Sequence, residues 1–139
     1  DSGRLLSNWE RVDTRGFAKL GTGLTESSGV YSFPSTGHYL IQFIAFLSNS
    51  SAEERFCKAF IEVTEDNSSF NSANDTRTSL AGGSGQRNGS IHCSHVFDVT
   101  NTTNDKFKVG VDHSDSNTVV HGDSNTNETY IIVTKLAET

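Results

Sequence analysis

Two stretches of the chain concentrate groups capable of chemistry. Asp112-His113-Ser114-Asp115-Ser116-Asn117 and Asp123-Ser124-Asn125-Thr126-Asn127-Glu128 crowd side-chain oxygens into loops on either side of a short strand, Thr118 to His121. Hard cations such as Ca²⁺ take six to eight oxygen ligands, so calcium is the one cofactor these loops suggest. The spacing matches no EF-hand, and acidic loops are ordinarily just solvated, so the expectation is no cofactor. A second use suits the loops better. Asp112, His113, Asp115, Asn117, His121, Asp123 and Asn125 are candidates for touching a receptor or glycan, because binding groups are commonly carried on the loops of a rigid scaffold.

His92, Cys93 and His95 form the other reactive cluster. On a strand, successive side chains point to opposite faces, so His92 faces away from Cys93 and His95 and the three cannot converge on one zinc ion. No metal site is expected here; the ordinary reading is a small buried thiol beside a histidine. Cys57 and Cys93 have neither a zinc-ribbon nor a redox spacing, and if their strands are neighbours they fall out of register for a disulfide. No Gly-x-Ser-x-Gly elbow, His-Glu-x-x-His pair or phosphate loop occurs in the chain. A glycosidase would need two carboxylates across a groove, and nothing singles out such a pair. The chain does not read as an enzyme.

The elements that must position these groups are strands. No stretch keeps a helical repeat, whereas several alternate with period two. Trp9 to Val12 and Gly16 to Leu20 are weak strand candidates, and Gly29 to Phe33 is a stronger one followed by a tight turn, Pro34-Ser35-Thr36-Gly37. The strand from His38 to Leu47 sets Tyr39, Ile41, Phe43, Ala45 and Leu47 on one face and Leu40, Ile44 and Phe46 on the other, with only His38 and Gln42 polar. Phe56 to Thr64 sets Cys57, Ala59, Ile61 and Val63 against Lys58, Phe60 and Glu62, a half-buried pattern. Glu65 to Ser90 reads as a loop-rich region, with Gly82-Gly83-Ser84-Gly85 and Asn88-Gly89 as turn signals. Ile91 to Thr100 and Lys106 to Val111 are core-facing strands, and Thr129 to Leu136 closes the chain with Tyr130, Ile132 and Leu136 on one side and Ile131 and Val133 on the other.

The 139 residues suffice for one domain. Short strands joined by Gly, Asn, Ser and Asp turns predict an all-β fold, a sandwich or barrel of which the jelly roll is one type, over residues 1–139, with 1–15 as an N-terminal linker or arm. The 17 acidic residues outnumber the 11 basic ones, which are scattered, so nucleic acid is not an expected partner. No apolar run approaches the length of a membrane span, so no insertion is expected. A chain that starts at Asp1 and contains no methionine reads as part of a longer product. The six Asn-x-Ser/Thr sequons, at Asn49, Asn67, Asn74, Asn88, Asn101 and Asn127, are taken as a consequence of composition.

Double-faced strands carry the main functional expectation. In a two-sheet sandwich only the inner face of each sheet meets the core. Apolar residues on both sides of His38 to Leu47 and Thr129 to Leu136 therefore need a further cover, most simply sibling copies of the chain. The residues predicted at that interface are Leu40, Ile44, Phe46, Ile131 and Val133.

The run Gly29-Val30-Tyr31-Ser32-Phe33-Pro34-Ser35-Thr36-Gly37-His38-Tyr39-Leu40-Ile41-Gln42-Phe43 resembles the Gly-x-Phe-x-x-Pro-x-x-Gly-x-Tyr-x-x-x-Phe signature of complement first-component-q heads and their tumour-necrosis-factor-like relatives. That resemblance implies a two-sheet antiparallel jelly-roll sandwich that forms homotrimers, the inner sheets packing about a three-fold axis. It also implies that Lys106 to Val111 shares that inner sheet, which would set Lys106 and Lys108 near the interface rim. Trp9 to Val12, Gly21 to Gly29, Glu62 to Ser69 and Phe97 to Thr100 are similar to fibre-knob and decoration proteins on the virions of marine (cyanobacterial) tailed bacteriophages. The reading is a virion structural module on the particle surface, a trimeric knob or decoration of fibre, tail or capsid. Its implied partners are itself, other virion proteins and a host receptor or glycan. The alternative is a secreted complement-q-like recognition head binding through trimeric avidity.

Overall fold

A computed structural model describes residues 8–50, 53–82 and 84–139. Among them nine strands run in chain order: β1 (Thr25–Ser27), β2 (Val30–Ser32), β3 (Gly37–Asn49), β4 (Glu54–Thr64), β5 (Asn71–Leu80), β6 (Arg87–Val99), β7 (Lys106–His113), β8 (Thr118–His121) and β9 (Tyr130–Ala137). They form two antiparallel sheets. One has the order β1-β2-β7-β4-β5; in the other, β3 pairs with β6 on one edge and with both β8 and β9 along the other. The described residues contain no helix that is long and apolar enough to cross a membrane.

Alternation builds the core between the sheets. Tyr39, Ile41, Phe43, Ala45 and Leu47 on β3 and Cys93, Phe97 and Val99 on β6 meet Cys57, Ala59 and Ile61 on β4 and Phe107, Val109 and Val111 on β7. An aromatic cluster packs one end: Tyr31 stacks on Phe107 with ring centroids 4.8 Å apart, and Phe33 bridges Tyr39, Phe97 and Phe107. Phe60 faces outward from β4, yet it is only 7% exposed. It lies opposite Gly110 of β7, and the Lys58 ammonium sits 5.2 Å from its ring. The ring thus covers the gap a cross-strand glycine leaves.

Turn chemistry sets the registers. Ser28 and Gly29 both have positive φ, the geometry of a two-residue hairpin turn that matches the twist of its strands, and the Gly29 amide donates to the Glu26 carboxylate at 2.7 Å. In the Pro34 to Gly37 turn the Tyr39 hydroxyl donates to the Ser35 carbonyl at 3.0 Å. Gly37 then enters β3 at φ +138°, and a Cβ there would lie 2.5 Å from the Ala137 carbonyl oxygen. Gly37→Ala therefore forces β3 and the end of β9 apart. The expected loss is about 2 kcal/mol by urea unfolding.

Three expectations about the elements need correction. Trp9 to Val12 and Gly16 to Leu20 are irregular, because Asn8, Arg15, Gly16, Gly21 and Gly23 take positive φ and break any extended run. Arg11 and Lys19 donate instead to the carbonyls of Leu24 and Thr22. The segment called loop-rich, Glu65 to Ser90, contains β5 and the start of β6, although Gly83 lies outside the described residues. β5 shows no apolar alternation because it is an edge strand at the corner of the sandwich, where the Thr76 hydroxyl donates to the His92 carbonyl of β6 at 2.7 Å. Finally, β7 lies in the sheet of β2 and β4, not with β3 and β9. Lys106 and Lys108 are therefore on the outer face of the opposite sheet, and Lys108 sits 3.9 Å over the Phe70 ring.

Tyr31 carries a buried hydroxyl with no hydrogen-bond partner among the described residues. Burial, and after it the Glu26 charge, push its phenol far above the usual range. Tyr31→Phe keeps the stack on Phe107 and the edge contact with Trp9 and removes only the unmatched group. Thermal unfolding of that variant is expected at or above the wild-type temperature, with a gain of about 1 kcal/mol.

Candidate interaction face and the loops around it

The pairing registers decide which side chains leave the core. β3 aligns Leu40 with Val96 of β6 and Thr134 of β9, Ile44 with His92 and Tyr130, and Phe46 with Ser90 and His121. All of these point away from the core, so the outer face of this sheet carries Leu40, Ile44, Phe46, Val96, Val119, Tyr130, Ile132 and Leu136. Four of them remain well exposed: Val96 at 52%, Val119 at 50%, Ile132 at 44% and Leu136 at 55%. The outer face of the other sheet differs in kind. It presents Lys58, Glu62, Lys106, Lys108 and Asp112, with a Lys58–Asp112 pair at 3.9 Å.

Of the five residues expected at an interface, Leu40, Ile44 and Phe46 lie on this outer face. Ile131 and Val133 do not. The register sets Ile131 opposite Phe43 and Val133 opposite Ile41, and both pack against the core. The two sides of β9 are thus exchanged relative to the sequence reading, and Tyr130, Ile132 and Leu136 are the outward residues. With apolar groups on both sides, alternation along β9 has no phase of its own; only its pairing with β3 supplies one.

Polar groups frame the apolar patch. His38 Nε2 lies 3.7 Å from the Asp98 carboxylate at one end. At the other end the His121 ring packs on Phe46 with centroids 5.3 Å apart, and its Nε2 is 2.5 Å from the Ser48 hydroxyl. The Phe46 amide donates to the Thr129 hydroxyl at 3.0 Å, tying the incoming end of β9 to β3.

The two oxygen-rich loops do not come together. β8 separates them by four residues, on the order of 10 Å of extended chain. Asp112 and His113 belong to β7 in the opposite sheet, paired with Lys58 and Cys57. Asp115 Oδ1 accepts the Asn117 amide at 2.7 Å and its side-chain nitrogen at 2.8 Å, while Asp123 Oδ1 accepts the Asn125 and Thr126 amides at 2.6 and 2.8 Å. Each carboxylate thus closes its own turn. The Asn125 carbonyl accepts from the Arg15 guanidinium at 2.8 Å, beside a shallow cleft bordered by Val12, Phe17 and Thr126. Among the described residues no three His, Cys, Asp or Glu side chains converge as a metal site would require.

A buried carboxylate absent from the sequence reading organises the first loop. Glu54 is fully buried at the start of β4. Its Oε1 accepts the Phe56 amide at 3.0 Å, the Ser114 amide at 3.1 Å and the Ser114 hydroxyl; its Oε2 accepts the Asp115 amide at 2.8 Å and the Thr118 hydroxyl at 2.6 Å. The Thr118 oxygen in turn accepts from the Asn49 side chain at 3.0 Å. Burial alone would raise the carboxyl, but the donors from Ser114, Thr118, Asp115 and Phe56 outweigh it and hold the carboxyl down at about 2. Asn49, the first sequon, is therefore an interior residue, 1% exposed. In sequence Glu54 is indistinguishable from a surface charge flanking a strand.

The cysteines are free and buried. Their strands are not neighbours: β4 pairs with β5 and β7, and β6 pairs with β3. The two cysteines therefore sit in opposite sheets rather than on neighbouring strands. Burial, with the Glu54 charge for Cys57 and the Asp75 charge for Cys93, pushes both thiols up to about 11, so neither is a thiolate at neutral pH. His92 is exposed on the outer face while His95 turns inward toward the Phe97 ring, where burial lowers its pKa. No protein-family model matches the chain, and no curated protein matches it significantly.

Proposed function

We propose that the chain is a non-catalytic structural module that self-associates as a homotrimer through the outer face of β9, β3 and β6. One observation carries this reading: a row of aliphatic and aromatic side chains on a sheet face that the described residues leave partly uncovered. Burying four half-exposed aliphatics contributes about 1 kcal/mol each per protomer. The opposite sheet, faced with lysines and carboxylates, suits solvent. A jelly-roll winding is supported by the pairings β2–β7, β4–β7, β3–β6 and β3–β9, each of which skips intervening strands as Greek keys do.

The signature-like run from Gly29 to Phe43 supports a complement-q or tumour-necrosis-factor-like trimer. The likeness to marine phage fibre and decoration proteins supports a place on a virion surface, where neighbouring virion proteins and a host receptor or glycan are the partners. Three copies held rigidly together would gain effective concentration on a repetitive surface. Sedimentation equilibrium at neutral pH is expected to give the mass of three chains at micromolar concentration, and a monomer throughout would overturn the assembly. Antibodies raised against the chain should decorate intact particles in electron micrographs. Bare particles would overturn the virion assignment.

A further inference from the structure

Three of the five histidines sit on the outer face of the β9-β3-β6 sheet. Two of them flank the Ile44–Phe46 end of the apolar row: His92 on β6 lies opposite Ile44, and His121 on β8 lies opposite Phe46 with its ring against the phenyl. We propose that His92 and His121 make self-association pH-gated, so that the assembly forms at neutral pH and comes apart in mild acid. This rests on the assembly reading above. Histidine is the side chain that ordinarily gains its charge between pH 8 and 5. Covering the face with another protomer takes both imidazoles out of water, which opposes the charged form, and protonation must then oppose covering.

Among the described residues no carboxylate is ion-paired with His92 or His121. Among the described residues the face holds one carboxylate, Asp98, and it is paired with His38 at the far end of the sheet. β3 contributes Ile44, Phe46 and Ser48 beside the two rings, none of them charged. β5, packed along β6, brings Asp75 and Arg77, which pair with each other at 3.5 Å. The loop after β8 brings Asp123, whose carboxylate caps its own turn, and the half-buried Glu128, next to the Thr129 hydroxyl that accepts the Phe46 amide; among the described residues Arg15 reaches that loop through the Asn125 carbonyl. β9 presents Tyr130, Ile132, Thr134 and Leu136, again without charge. His38 differs because the Asp98 carboxylate lies 3.7 Å from its Nε2, so it serves as the internal control.

The test is sedimentation equilibrium of the intact chain at pH 7.5 and 5.5, with far-UV circular dichroism at both to confirm folding. The trimer association constant is expected to fall at least about a hundredfold at pH 5.5, from two imidazoles in each of three protomers. The double variant His92→Gln/His121→Gln should associate equally at both pH values, and His38→Gln should keep the wild-type fall. A wild-type constant unchanged within twofold between the two pH values overturns the gating and leaves the assembly standing. A folded monomer at both values overturns the assembly, and the gating with it.

Discussion

Ile132→Asp/Leu136→Asp is expected to yield a folded protein that sediments as a single chain at concentrations where the wild type associates. Both side chains stand on the outer face of β9 and are about half exposed, so the substitutions remove no core contact. Surface changes of this kind cost the protomer within about 0.5 kcal/mol. In the assembly, however, they set two carboxylates per protomer against apolar partners, and an unpaired charge buried at an interface costs several kcal/mol. Three protomers multiply that cost. The decisive comparison is Ile131→Asp, at a position that the sequence reading placed in the interface. Ile131 packs on the core opposite Phe43, so that variant should lose stability rather than association. If the outer-face pair left the association constant untouched, the proposed interface would be wrong.

Glu54→Ala is expected to be the most damaging polar substitution in the described residues. It would leave two backbone amides of the β7–β8 loop, the Phe56 amide and two hydroxyls without their shared acceptor in a buried pocket. Removing one side of such a charged, hydrogen-bonded arrangement costs about 3 kcal/mol, a fall in Tm of roughly 10 °C. The candidate recognition residues Asp115 and Asn117 ride on that loop, so their presentation would suffer together with stability. Glu54→Gln keeps the shape but offers fewer acceptor positions, and an intermediate loss is expected.

The same carboxylate gives a definite pH dependence. Its folded pKa of about 2 lies below the ordinary 4.5, so the folded state favours the ionised form. Its stabilisation is complete above pH 4.5 and disappears as pH falls from there through about 2. Urea unfolding of wild type and Glu54→Gln at pH 7, 4 and 3 should therefore show a stability gap that narrows with acid. A constant gap would mean that the charge contributes nothing beyond shape.

These expectations draw unequally on sequence and tertiary structure. The long strand β3 was legible because its inner face is apolar from Tyr39 to Leu47, and β4, β6 and β7 because hydrocarbon alternates with polar groups along each. β5 was not legible: an edge strand at a corner carries small, half-exposed polar groups such as Thr76, which leave no hydrophobic rhythm. The irregular course of residues 9–24 hid behind residues that alternate acceptably on paper, since nothing local announces that Arg15 will take a positive φ to reach Asn125. Glu54 lay equally out of view, because its five donors come mostly from residues some sixty positions away.

The amino-acid order by itself determined that the chain forms strands, that β3 has two apolar faces, and that His92 and His95 point to opposite sides, because those properties follow from a period of two within one strand. Which sheet β7 joins, which side of β9 meets the core, and whether the oxygen-rich loops meet were decided only by pairing between distant segments. A strand's own sequence sets its alternation but not its phase or its neighbours. Those come from the registers that β3 imposes on β9, β8 and β6 and that β4 imposes on β7.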